Sequence, residues 1–345
     1  MDKRVRNYNL DIARVLGIFA VTIYHAWVRM GKPVKELGIF DAYGFAHWGN
    51  VGVIIMFVLS GYLVVGSYKK LAIYSIKDRL KKFYVARFFR IAPAYYFAIL
   101  VWCIFMYYGI RVKPHGIKDI ISHVLFIHPY FSGTIYSVSG VFWYIGIQAA
   151  YFAVTPLVFY LWSKINKVLK LDCKKRKILA VLLWIIILLI GWQALANKFV
   201  VYHSFLYMLP SFLLGMLLYY LKDIKIPTVI SVFCIISGVL MLFWRMDGMF
   251  SNASYRVVSG MLMSIGFIKL QPIPLNDAVK APLLMISSAS YTIYLYNYLV
   301  YIFPAEKGGM FDMLLHTAIV FGFGLLMYII IEQPLTKMTE RFIAK

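Results

Sequence analysis

Long apolar runs recur from one end of the chain to the other, as in Val181–Gly191 and Ile319–Ile331. They lack the two-residue alternation that marks the strands of a membrane barrel. A helix rising 1.5 Å per residue needs roughly 20 residues to cross hydrocarbon. The chain must be helical there, because its amides find no water to bond in lipid. The pattern predicts spans at about 10–29, 48–68, 91–109, 139–163, 178–196, 203–221, 226–244, 255–270, 282–303 and 312–331. The fold class expected is therefore all-α, a polytopic transmembrane bundle of about ten helices. No intervening stretch is long enough for a soluble domain, so residues 1–345 read as a single integral membrane domain.

Composition agrees: hydrophobic residues make up 62% of the chain, charged residues 14%, and the mean hydropathy is +0.76. A water-soluble globule would need more polar surface to cover itself. The net charge of +22 invites a nucleic-acid reading, and its distribution argues against one. With the N terminus placed inside, 25 of the 36 Lys and Arg fall in inside segments and ten in outside segments, with Arg14 inside the first helix. This bias predicts cytoplasmic N and C termini. The partners it implies for most of this charge are membrane lipids, with no nucleic acid. Lys3, Arg4 and Arg6 form a basic leader, but no small-x-small site follows and Arg14 and His25 interrupt the apolar stretch, so it reads as a permanent helix rather than a cleaved signal. Cys103, Cys173 and Cys234 show neither a disulfide framework nor metal-ligand spacing, and no metal is expected.

Two segments are not expected to span. Residues 69–90 alternate basic and apolar groups and read as an interfacial amphipathic helix. Residues 110–138, with His115, His123 and His128, form the longest outside stretch and suit a re-entrant or capping element.

The first helix carries Asp11, Arg14 and His25. Arg14 and His25 are three helical turns apart and share a face, roughly 16 Å apart along the axis. Asp11, one turn before Arg14, can pair with it. Ionisable groups in lipid are costly and usually face a cavity or a partner. Singly, Arg14 could snorkel to the inner headgroups and His25 sit at the outer interface; together they form a polar stripe. Arg87 and Arg90 lie one turn apart before Ile91-Ala92-Pro93, and two guanidinium forks on one face suit either phosphate oxygens or lipid headgroups. Ser60-Gly61-Tyr62 interrupts the second helix, where glycine allows close packing or a local break. Glu332, beside Pro334, could orient an arginine or mark the water boundary.

In this order the motifs resemble the acyltransferase type 3 family of bacterial membrane proteins, over essentially the whole chain. Leu10-Asp11-x-x-Arg14 followed by His25 is similar to the family's first-helix signature. Gly52-Val53 with Phe57-Val58-Leu59-Ser60-Gly61-Tyr62, and Arg87-x-x-Arg90-Ile91-x-Pro93, resemble the second and third. Trp143-Tyr144 leading to Tyr151 and Pro156 resembles the fourth, and Ser290-Tyr291-x-x-Tyr294-Leu295 with Ile331-Glu332-Gln333-Pro334 the tail. The chain departs from the family at Gln148, where members often carry Glu, at Asn297 in place of a frequent His, and at Ile54 in place of an acidic residue.

The resemblance implies a multi-pass protein of the bacterial cell membrane that moves an acyl group, acetyl by family frequency, from cytoplasmic acyl-CoA to a glycan or lipid-linked glycan hydroxyl. It implies no permanently bound cofactor. Arg87 and Arg90 would hold the donor's phosphates, and His25, Arg14 and Asp11 would form the catalytic stripe. His25 would act as general base or carry the acyl group itself. Some members carry a fused extracytoplasmic domain; a chain of this length is expected to work alone, as a homo-oligomer or with a separate partner. The rival reading is a transporter or flippase for a lipid-linked glycan, which would also need a polar cavity; the matching broken repeats common in transporters are not evident.

Overall fold

The computed structural model describes residues 6–37, 40–107, 116–196, 203–243, 252–302 and 309–344. Lys3, Arg4, Arg111, Lys113, His115, Lys198, Arg245, Lys307 and Lys345, all used in the charge and motif readings above, lie outside them. Among the described residues the secondary structure is helical, apart from one antiparallel pair of two-residue strands, β1 (Glu36–Leu37) and β2 (Phe40–Asp41).

The helices are α1 (Tyr8–Arg29), α2 (Gly44–His47), α3 (Val51–Lys70), α4 (Ile76–Tyr107), α5 (Ile117–Val124), α6 (Trp143–Leu169), α7 (Cys173–Ala196), α8 (Phe205–Tyr220), α9 (Thr228–Phe243), α10 (Asn252–Lys269), α11 (Asp277–Leu295), α12 (Met310–Met327) and α13 (Gln333–Ala344). Each of the ten predicted spans falls on one of them. Among the described residues six stretches are long and apolar enough to cross a membrane: Tyr8–Arg29, Val51–Ile73, Ile76–Phe105, Trp143–Leu169, Cys173–Ala194 and Met310–Met338. Helices α8 and α9 are apolar but shorter. Starts are set locally: the Asn7 side chain accepts from the Asn9 amide, Ser204 from Tyr207 and Asn276 from Val279, each closing a donor that the first turn would otherwise leave open.

The expected interfacial helix over residues 69–90 is not a separate element. The chain leaves α3 through a short 3-10 turn at Leu71–Ile73, and α4 then runs unbroken from Ile76 past Pro93 to Tyr107. Basic and apolar halves therefore belong to one long helix. Pro93 withdraws only one amide, leaving the Phe89 carbonyl without its intrahelical donor, and that loss does not end the helix.

The backbone groups into two units. The first holds Met1–Leu59 with Lys222–Leu326. In it α1 packs on α2, α10, α11 and the 3-10 turn Asn297–Tyr301, while α9 pairs with α10. Glycine lets α1 and α3 meet closely: a Cβ at Gly52 would overlap the Gly17 carbonyl oxygen. The second unit holds Ser60–Leu221 with Met327–Lys345. There α6 packs on α4 and α8, α7 on α8, and α13 on α4. Gly61 produces close packing rather than a break: α3 continues through it, and a Cβ there would overlap the Phe212 carbonyl oxygen of α8. Cys103, Cys173 and Cys234 are all unbridged.

Candidate functional site

The polar stripe on α1 begins with a buried carboxylate. Asp11 accepts two hydrogen bonds from Arg6, Nε to Oδ2 and Nη2 to Oδ1, each 3.0 Å. Ser287 Oγ of α11 donates to Asp11 Oδ1 at 2.7 Å and accepts from Arg14 Nη1 at 2.9 Å. Arg14 Nη1 also stands 3.6 Å from Asp11 Oδ1. Asp11 and Arg14 thus meet as their spacing predicts, and a serine bridges them. Two guanidinium groups around one carboxylate leave the cluster with an excess positive charge, which favours an anionic ligand. The bonds to Asp11 raise the Arg6 pKa above its ordinary value. Asn9, fully buried, fixes the segment before α11: its Nδ2 donates to the Leu270 and Gln271 carbonyls at 2.9 and 3.0 Å, and its Oδ1 accepts from the Ile273 amide.

Three turns along α1, His25 stands in an aromatic enclosure. Its ring meets Tyr24, Tyr298 and Tyr301 edge-on, with centroids 5.3, 5.2 and 6.3 Å away. Its Nδ1 is buried and has no hydrogen-bond partner among the described residues. The 3-10 turn that supplies Tyr298 and Tyr301 also holds Asn297, wholly buried, whose Nδ2 donates to the Ile293 carbonyl and whose Oδ1 likewise has no partner among the described residues. Close by on α1, Trp27 stacks on His47, which stacks in turn on Trp48. Burial lowers the His47 pKa, against the opposing pull of Asp41.

The second unit holds the remaining motif residues except Tyr291. Arg90 Nη1 donates to Glu332 Oε1 at 2.7 Å, with the Glu332 side chain almost fully buried. A π-helical turn at Tyr328–Glu332 presents that carboxylate, at a point where Pro334 cannot donate to the Ile330 carbonyl and the α-helical ladder must loosen. Arg87 is half-buried; its guanidinium lies over the rings of Phe83 and Phe152, 5.6 and 5.2 Å from their centroids. Its Nε has no hydrogen-bond partner among the described residues. Ser60 Oγ accepts from Gln148 Nε2 at 3.0 Å, so the residue that replaces the family's Glu is tied to the second-helix motif. Tyr62 packs edge-on against Tyr219. Trp143 stacks on His203 with centroids 4.1 Å apart, and Tyr144 is buried at the start of α6. Tyr291, by contrast, belongs to the first unit, half-buried on α11.

Sequence reasoning misses Arg6, Ser287, Tyr298 and Tyr301. Arg6 reads as one more topogenic charge, and Ser287 as one of several small polar residues in a helix. Only the run Ser287-Ser288-Ala289-Ser290 in an otherwise apolar stretch hints at a polar face on α11.

Comparison with known proteins supplies the class. No solved structure matches the chain. Nodulation protein 10 of Rhizobium leguminosarum bv. viciae is 25% identical over 175 residues, covering 45% of this chain and 45% of that protein. The alignment therefore spans less than half the length of that relative. The match to the acyltransferase domain runs over residues 7–333 and takes in α1 with its Asp11–Arg14–His25 stripe, the Arg87–Arg90 pair and Glu332. With its helices long and apolar enough to cross a bilayer several times, the chain is a multi-pass membrane protein that belongs to the acyltransferase type 3 family.

Proposed function

We propose that this acyltransferase moves an acyl group, acetyl by the family's habit, from cytoplasmic acyl-CoA to a hydroxyl of a cell-surface polysaccharide or its lipid-linked precursor, in a bacterial cell membrane. In this reading the chain crosses the membrane ten times with both termini in the cytoplasm. The observation that carries it is His25. A half-buried imidazole in an aromatic enclosure has a buried ring nitrogen with no hydrogen-bond partner among the described residues, and a positive cluster lies three turns away on the same helix.

In this mechanism His25 removes the acceptor's hydroxyl proton as that oxygen attacks the thioester carbonyl. The tetrahedral intermediate collapses with cleavage of the C–S bond, and the departing thiolate takes the proton back from the imidazolium. If the acyl group rests first on His25, the same bond breaks one step earlier and the acceptor attacks an acyl-imidazole. Arg14 stands roughly 16 Å from His25 along α1. Oxyanion donors must stand within about 3 Å of the developing charge. Arg14 therefore positions the donor, and the extended pantetheine arm is the part that can run beside such a length of helix. Asp11 and Ser287 hold the Arg14 fork in place. Arg87 and Arg90 bind the phosphates of CoA, a role suited to planar forks.

Mass spectrometry of surface glycans, before and after mild alkali, tests this in wild-type, deletion and His25→Gln strains. Loss of ester-linked acyl groups in both mutants, with the glycan still at the surface, is the expected result. Unchanged esters in the deletion strain would refute it, and disappearance of the glycan itself would favour a transporter or flippase.

A further inference from the structure

Helix α5 is inside out by the standards of a water-soluble protein. Its buried face is polar: Asp119 is 2% exposed and His123 is 0%, with Ser122 beside them. Its outer face is apolar apart from Lys118 in the first turn, whose long stem can carry its ammonium to headgroup level: Ile117 is 77% exposed and Leu125, at its end, 58%, with Ile121 and Val124 between them. The buried face is organised. Ser137 Oγ donates to Asp119 Oδ1 at 2.7 Å, His123 Nδ1 donates to the Asp119 carbonyl at 3.0 Å, and the His123 ring stacks on His128 with centroids 4.0 Å apart. His128 Nε2 donates to the Phe142 carbonyl at 2.9 Å. Water would select the opposite arrangement, because apolar surface is expelled from water and carboxylate and imidazole groups are not. Hydrocarbon selects the one seen.

Depth points the same way. The Tyr96 hydroxyl of α4 donates to the Val124 carbonyl, and Tyr95 stacks on Phe126. Tyr96 lies eleven residues before Tyr107, the last described residue of α4, which is roughly 16 Å along the helix. The neighbouring surface of α4 is apolar and exposed at Leu100 and Ile104. The turn after α5 also closes its own backbone, as a segment at such depth must. The Ile127 amide bonds the Ser122 carbonyl and the Phe126 amide the His123 carbonyl, with Phe126 in the left-handed region at φ 61°.

We propose that residues 117–127 form a re-entrant element whose apolar face is seated in lipid acyl chains, continuous with the lipid-facing side of α4, while its Asp119–His123–His128 face closes the protein interior. The exposed rings of Tyr130 and Phe131 then mark where the element returns to headgroup level. This goes beyond the transfer reaction and depends only on α4 crossing the membrane.

The experiment is nitroxide labelling at Ile121→Cys and Leu125→Cys, with Leu100→Cys as the α4 reference, in proteoliposomes of a variant whose three native cysteines are serine. Collision with oxygen and with a nickel chelate is read at each position. A positive log ratio of oxygen to nickel accessibility at all three positions is expected. Nickel-dominated collision at Ile121 and Leu125 with oxygen-dominated collision at Leu100 would overturn the placement and leave α4 in the membrane. Low accessibility to both reagents would mean that protein covers the face, and would overturn it too. A benzophenone amino acid at Ile121 in the native chain provides a second route: photo-adducts to phospholipid are expected, and adducts to protein alone would refute the proposal.

Discussion

Arg90 and Glu332, 242 residues apart in the chain, are joined by a 2.7 Å hydrogen bond from Nη1 to Oε1. The Glu332 side chain is nearly fully buried and the Arg90 side chain is 43% exposed. Replacing Arg90 therefore does two things: it removes a candidate phosphate fork and deprives a buried carboxylate of this partner. Arg90→Ala should lower thermal stability in detergent, and adding Glu332→Gln should restore part of the loss. The coupling in the double-mutant cycle should be about 1 kcal/mol, discounted for the exposure of the arginine. Strictly additive effects would mean that the pair contributes nothing to stability.

Arg87 separates donor binding from folding more cleanly. Its guanidinium rests on two phenyl rings, and its Nε has no hydrogen-bond partner among the described residues. Arg87→Ala should weaken acyl-CoA binding by a factor of about ten to a hundred, the loss of one charge-assisted contact of about 1.5–3 kcal/mol, with little change in melting temperature. Arg87→Lys should recover part of the affinity, since it keeps the charge and loses the fork. Titration calorimetry in detergent checks this, and equal affinity for wild type and Arg87→Ala would return the residue to a lipid-anchoring role.

His25→Gln should abolish acyl transfer while expression and helix content stay at wild-type levels. Glutamine preserves some hydrogen bonding in the tyrosine enclosure but cannot take a proton. Lysine should fail as well, because it stays charged at neutral pH. Arg14→Lys should be impaired rather than silent: a single ammonium cannot reproduce the planar fork that now reaches Ser287 and faces Asp11. Substantial glycan acylation by a well-expressed His25→Gln protein would remove His25 from the chemistry.

Gly61→Ala should destabilise the protein by about 1–3 kcal/mol, because the added methyl meets the backbone of Phe212, which cannot swing aside. Gly322→Ala is the matched control: nothing lies within 4 Å of its Cβ position, and alanine there should be neutral or stabilising by up to about 1 kcal/mol. The melting temperature should fall for Gly61→Ala and not for Gly322→Ala, and equal shifts would contradict the close packing of α3 on α8.

Hydropathy by itself determined where the long apolar helices lie, because a backbone in lipid must satisfy its own hydrogen bonds and the decision is made within each run of residues. Helical period likewise determined that Asp11 meets Arg14 and that His25 shares their face. Tertiary structure decided what no local pattern encodes. It set Ser287, 276 residues away, between Asp11 and Arg14, and gave Glu332 to Arg90. It wrapped His25 in rings from the turn after α11. It also joined the basic stretch before Pro93 to the apolar one after it, where an alternation of charges alone suggested an independent interfacial helix. The reason is physical: a helix depends on neighbours a few residues away, whereas the partner of a buried charge is chosen by which helix faces pack together, and that choice is made by the whole chain.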